Sequence, residues 1–291
     1  MVVSGPPAGV ARGMDAGPHE YRYDEILGFA RHCAANGEYY RAYVELQRLQ
    51  SYYPSRVNHE RLYAAGLYLQ YGAGRYADIV SGVSAFPRSG DRCVAAVFEA
   101  DARIAISDYG GARDIASGYA YNSDEPLLAA MHFKRLLLSS MLLFDIDGSR
   151  RMLCDERINA LNKNDLELYA TLVKYADSTA KSLKNPHIAA INGIIPGMGY
   201  AYSGNASTGI IAFLAVAVLS GLAYGAAVTD NGAMCVCFGL GATALYAGSV
   251  VGGWREAVRY NEARMRRYSE TLVDDMNCGA DRDALYRRYG M

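Results

Sequence analysis

At 291 residues the chain can hold one large domain or two modest ones. Its net charge is −1 and no basic stripe interleaves with aromatics, so a nucleic-acid partner is excluded from the expectations. The charge is also unevenly placed. Between Ile188 and Trp254 the only residue charged at neutral pH is Asp230, the pattern of a water-exposed domain joined to a lipid-embedded one.

Residues 1–20 are rich in Gly, Pro and Ala and contain no apolar run of secretory-signal length. They are expected to be a flexible tail.

From Tyr21 onward a pattern recurs. Asn36-Gly37-Glu38-Tyr39-Tyr40-Arg41-Ala42 lies between two helix-like stretches and is followed by Leu46, Leu49 and Pro54. Gly74-Arg75-Tyr76-Ala77-Asp78-Ile79 repeats it, followed by Val83 and Pro87. Ser107-Asp108-Tyr109-Gly110-Gly111-Ala112 is a third copy, followed by Ala116. The spacing is close to a period of roughly 34 residues. A small residue in the turn lets two antiparallel helices approach, and the Tyr two positions on fills the cleft between them. In the first copy Ile26, Ala30 and Cys33 fall at i, i+4 and i+7 and predict the packing face of a helix. Over about residues 22–120 this resembles the tetratricopeptide repeat family. The family's Trp is absent and Cys33 stands in place of the first-helix Tyr.

The resemblance implies a concave surface, lined by the first helix of each pair, that takes extended or helical peptide. On that template Arg31, Arg61, Tyr68, Tyr71 and Asp101 face the groove. Each also suits an ordinary surface position, or, for Tyr, packing between repeats.

Pro126–Leu143 predicts a strong apolar helix. Ser149–Asn162 and Asp165–Leu183 predict two more, as a diverged fourth pair plus a connector. Asp145-Ile146-Asp147-Gly148 loosely resembles the start of a calcium loop but lacks its closing Glu, so no metal is expected. The helical-repeat domain is thus assigned to residues 21–185.

The membrane module is assigned to residues 186–254. Residues 209–229 and 232–254 are uncharged runs, each about long enough to cross a hydrocarbon core of roughly 30 Å. The link, Asp230-Asn231, is so short that the two must form an antiparallel hairpin. A pair of buried helices in a soluble core is the competing reading. Small residues recur at every fourth position: Ala217, Gly221 and Gly225 on the first run, Ala244, Gly248 and Gly252 on the second. They predict close packing of the hairpin on itself or on a second copy. Residues 188–208 are apolar but broken by Pro196, Gly197 and Gly199, and are expected to be interfacial or half-inserted. The string P-G-x-G-x-x-Y-x-G covers Pro196, Gly197, Gly199, Tyr202 and Gly204, and the pair Tyr260-Asn261 follows the second run. Together these resemble the two-span hairpin modules of a group of bacterial membrane proteins in which tetratricopeptide regions can precede the hairpin. Some members of that group are likened to membrane-protein insertion factors.

Lys181 and Lys184 precede the module, and Arg255, Arg259, Arg264, Arg266 and Arg267 follow it. Positive flanks predict that both ends, and the repeat domain, are cytoplasmic at a bacterial inner membrane. Residues 255–291 are expected to form a basic amphipathic helical tail.

Chemistry-bearing motifs are missing. His19, His32, His59, His132 and His187 are isolated, and Gly204 to Gly209 lacks the Lys of a phosphate loop. The expectation is an all-α protein, a tetratricopeptide-like domain followed by a two-helix transmembrane hairpin, with no catalytic residue and no cofactor. As a function it predicts a membrane-anchored scaffold that recruits a protein partner through the repeats, in membrane-protein assembly or secretion. The alternative is a structural membrane protein that self-associates through the hairpin.

Overall fold

The structure is a computed structural model and describes residues 22–83, 92–121, 125–155 and 163–289. In chain order its helices are α1 (Tyr23–Ala35), α2 (Tyr39–Tyr52), α3 (His59–Gly72), α4 (Tyr76–Val83), α5 (Arg92–Ala105), α6 (Tyr109–Ala120), α7 (Pro126–Leu142), α8 (Ile146–Leu153), α9 (Lys163–Ser182), α10 (Pro186–Asn192), α11 (Met198–Tyr202), α12 (Ala206–Val228), α13 (Gly232–Met276) and α14 (Cys278–Tyr289). The all-α expectation holds, with no strand among the described residues. The tail over residues 1–20 and Pro87 lie outside the described residues. The helix expected over Ser149–Asn162 is α8, which starts earlier and closes at Leu153 with Cys154 as its C-cap.

The helix pairs share one turn. Gly37, Gly74, Ser107 and Phe144 all have positive φ, at 77°, 72°, 65° and 57°. Each ends one helix in the left-handed region, which Gly enters without a steric cost and other residues enter at some cost. At the last two, the next residue caps the following helix. Asp108 accepts a hydrogen bond from the Gly111 N–H (3.0 Å) and Asp145 from the Gly148 N–H (2.9 Å). The acidic residue of the D-x-D-G string is therefore a helix cap. Five residues after each positive-φ position a small or branched side chain is fully buried: Ala42, Ile79, Ala112 and Ser149. The fourth pair, α7 and α8, thus carries the same local signature with Phe in place of Gly.

The chain divides into two compact units, residues 1–106 with 279–291, and residues 107–278. The expected boundary near residue 185 is not where the compactness changes. The third copy of the repeat is divided at its turn, and the end of the chain returns to the first unit.

In the first unit, Ile26, Ala30 and Cys33 are buried at i, i+4 and i+7 as the spacing predicts. Ala30, Cys33, Ala42, Leu46, Ala65 and Leu69 form one core cluster from α1, α2 and α3. Full burial of a Leu such as Leu46 contributes about 1.5–3 kcal/mol.

In the second unit α7 is buried along most of its length, from Leu128 to Leu142. The Tyr268 hydroxyl donates to the Met141 carbonyl at 2.6 Å, and its ring stacks on Phe144 at 5.1 Å. The sequence expectation ends a span at Trp254 and starts a separate tail helix at Arg255. Instead α13 is continuous to Met276, because no Gly or Pro interrupts residues 254–276. Its later part buries Tyr268, Leu272 and Met276, so this stretch is a packed core helix as well as a basic one. It ends at Asn277, in the left-handed region with φ 47°.

Among the described residues, α12 and α13 are the two helices long and apolar enough to cross a membrane. None of the most apolar stretch of α12 is buried, and almost none of that of α13. Ile211, Leu222, Val228 and Leu240 are among the exposed side chains. A buried pair in a soluble core would show the opposite, and an apolar patch of this extent is unstable in water.

Candidate functional site

The groove residues predicted from the repeats do not line an empty surface. Tyr68, on α3, donates its hydroxyl hydrogen to Asp283 Oδ1 at 2.9 Å, and its ring stacks on Tyr286 with centroids 4.2 Å apart. Tyr71, one turn on, lies under the Arg282 guanidinium, 4.0 Å from its ring centroid. The same guanidinium pairs with Asp101 Oδ2 at 2.9 Å, and the Asp101 side chain is only 2% exposed. Arg282, Asp283 and Tyr286 are at i, i+1 and i+4 of α14, so one face of one helix meets three of the predicted residues. Arg31 is exposed, yet close enough for its charge to act on the Tyr286 hydroxyl. Arg61 is not part of this constellation. It is exposed in the first turn of α3, where its backbone N–H is capped by Asn58 at 3.0 Å.

Electrostatics follow from burial. Desolvation pushes the Tyr68 hydroxyl well above its ordinary value, and its hydrogen bond to the Asp283 carboxylate pushes it further. Burial also raises Tyr286, against an opposing pull from Arg31, and raises Tyr63 to about 12. The Tyr68 phenol is thereby held neutral as a hydrogen-bond donor, stacked on the Tyr286 ring. Tyr39, edge-on to Tyr68 at 6.2 Å, and the α14 residues themselves were missed by the sequence reading. The available signal was the i, i+1, i+4 placement of Arg282, Asp283 and Tyr286, hidden within what reads as a basic tail.

The P-G-x-G-x-x-Y-x-G string forms the second constellation. Residues 188–208 are not one helix of span length but the short α10 and α11 joined through a turn. Pro196, with no N–H to donate, sits in that turn. Gly197 follows with φ 84°, and a Cβ there would collide with the Gly209 carbonyl. A Cβ on Gly199 would lie 2.6 Å from the Ala189 carbonyl oxygen and 3.0 Å from the Gly253 Cα. The glycines thus let α10, α11, α12 and α13 meet backbone to backbone. Gly204, with φ 94°, makes the turn into α12. Tyr202 accepts the Asn185 N–H at 3.2 Å, and the Lys184 ammonium lies 5.1 Å above its ring. The flagged Tyr260-Asn261 pair acts through Asn261. Its side chain accepts the Lys184 N–H at 2.8 Å and donates to the Lys184 carbonyl at 2.7 Å.

Two serines missed by the sequence reading complete this packing. Ser249 Oγ accepts the buried Gly197 N–H at 2.8 Å, and Ser203 Oγ donates to the Gly199 carbonyl at 2.9 Å. Lone hydroxyls in an apolar run were the available signal.

The small-residue stripes need correction. Ala217, Gly221, Gly225, Ala244 and Gly248 are exposed, and a Cβ on Gly221, Gly225 or Gly248 would meet open space. They do not close the hairpin. Gly252 is half-buried, but its neighbour is the Tyr200 ring. α12 and α13 instead pack through other residues, such as Leu219 against Gly241, with Ala226 and Ala242 buried. A four-residue spacing fixes which residues share a helix face but not which face turns inward.

No family model matches the chain, and neither a curated protein nor a solved structure matches it. Short helices in a repeat-like arrangement, followed by two long apolar helices, are what the geometry itself establishes.

Proposed function

We propose that the chain is a membrane-anchored interaction scaffold with no catalytic step of its own. The observation that carries this reading is the outward exposure of the apolar residues of α12 and α13 in a chain that also carries water-compatible helix pairs. Two exposed span-length helices fit a lipid environment, where backbone groups are satisfied within each helix. The basic residues Arg255 and Arg259, with Lys181 and Lys184 before the module, favour cytoplasmic flanks at a bacterial inner membrane. The repeat pairs then recruit a protein partner at that surface. The tetratricopeptide resemblance supports recruitment, and the hairpin resemblance suggests membrane-protein assembly or secretion as its setting.

Affinity isolation of the detergent-extracted full chain, read by mass spectrometry, tests this. A stoichiometric partner that is lost in the Tyr68→Ala/Tyr71→Ala variant is the expected result. Recovery of the chain alone removes the recruitment reading.

One observation favours a second reading, a structural protein that self-associates. The Ala217, Gly221, Gly225 stripe faces outward, where a second copy could pack backbone to backbone. Loss of a dimer in mild detergent on Gly221→Leu supports it. A monomer before and after the substitution excludes it.

A further inference from the structure

We propose that α14 is an internal latch seated on the recruitment surface of the repeats, and that its side chains define the partner class as a helix presenting Arg, Asp, Leu and Tyr at i, i+1, i+3 and i+4. This rests on the scaffold reading and specifies its binding site.

Three of the five residues that the repeat pattern assigns to a peptide groove, Tyr68, Tyr71 and Asp101, are already met by a helix of the same chain. Asp283 accepts the Tyr68 hydroxyl, Tyr286 stacks on the Tyr68 ring, and Arg282 bridges the Tyr71 face to the buried Asp101 carboxylate. Each contact is geometrically specific. The guanidinium is planar, so it can stack on an aromatic face and bond a carboxylate at once, which a Lys cannot do.

Three features make α14 a displaceable occupant rather than part of the core. The α1–α3 core cluster is assembled from six buried residues, none of them from α14, and Tyr286 packs against it only partly buried. Within α14 only Cys278, at its start, and Leu285 are buried among the described side chains. The helix is joined to α13 through the single left-handed residue Asn277. Because α14 is tethered, it competes at the millimolar effective concentration of a short intramolecular link. An external helix succeeds only if it reproduces the same anchors or meets a chain whose latch has been loosened.

The test uses the full chain in detergent micelles and a fluorescent synthetic peptide of residues 279–289 as probe. In the Arg282→Ala/Asp283→Ala/Tyr286→Ala variant the resident helix loses its anchors, and the probe binds at least about 10-fold more tightly than to the native chain. Adding Tyr68→Ala to that variant returns binding to the native level or below. Hydrogen exchange of α1–α3 amides accompanies each measurement. Unchanged protection in the triple variant supports a latch. Collapse of that protection overturns the proposal, because α14 is then a structural element of the unit. Equal probe affinity for native and triple-variant chains also overturns it. The probe comes from this chain, so the assay reads the latch alone, whereas partner isolation reads recruitment alone.

Discussion

In the first unit, α14 is held by side chains that reach: Arg282 to Asp101, Asp283 to Tyr68, Tyr286 onto the Tyr68 ring. In the apolar part of the second unit, α10, α11 and α13 are held by side chains that are missing. There Gly199 and Gly253 bring two backbones together, and Ser249 and Ser203 bond backbone groups across the gap. The contrast follows from the surroundings. Beside water, large amphipathic side chains gain from burying their apolar bodies while keeping polar ends bonded. In a lipid-like setting burial of apolar area between helices gains little, so close approach and backbone hydrogen bonds decide the packing. On the latch proposal, the first mode allows exchange of one helix for another. The second is fixed by volume.

That contrast breaks first, and most strongly, at Gly197. Replacing it with Leu forces a side chain into the left-handed region and against the Gly209 carbonyl, at a combined cost of about 3 kcal/mol or more. Thermal unfolding of the detergent-extracted variant should show a large loss of stability with little folded protein recovered. A native-like melt would mean that the backbone contact is not required.

Ser249→Ala is the next largest. It leaves the buried Gly197 N–H without its acceptor, at about 1–3 kcal/mol. A lowered melting midpoint is expected, and Ser249→Thr should restore part of it if the hydroxyl is what matters.

The first unit responds to alkali. Tyr68 and Tyr286 have pKa values raised in the folded state, and that of Tyr63 is about 12. Below about pH 10 these phenols are protonated in both folded and unfolded chains, and their contribution is fully present. Above it, unfolded tyrosines ionise first, so stability falls as pH rises through the folded values. Probe binding to the triple variant is therefore expected to weaken from about pH 10 upward. Binding that is flat across that range would show that these hydroxyls contribute nothing.

The smallest effect is expected at Gly221→Leu, which places its side chain in open space and should move the stability of the monomer by no more than about 0.5 kcal/mol. A large destabilisation would return Gly221 to the hairpin interface.

Periodicity and composition carried much of this to the surface of the sequence. Ile26, Ala30 and Cys33 mark their helix face correctly, the recurring Gly37, Gly74 and Ser107 mark their turns, and the charge-free runs mark α12 and α13. Asp145 to Gly148 marked the fourth turn as well, although Phe144 in the left-handed position departs from the small residues of the other three. Which face of each apolar helix turns inward was not legible. Small residues lie on several faces of α12 and α13, and the choice was made by Gly193, Gly199 and the turn between them, whose contacts lie far along the chain. The occupant of the repeat groove was hidden for a similar reason. Nothing local to Arg282, Asp283 and Tyr286 indicates that residues 181 to 215 positions earlier, Asp101 and Tyr68, complete them.

Residence of α12 and α13 among lipid tails is tested most directly by sedimentation of lysed cells, with the membrane fraction washed at alkaline pH before detergent is added. The full chain should stay in the pellet through the wash and enter the supernatant only with detergent. A chain that is released by the wash, or never pellets, is not anchored by its apolar helices, and the scaffold at the membrane then has no support.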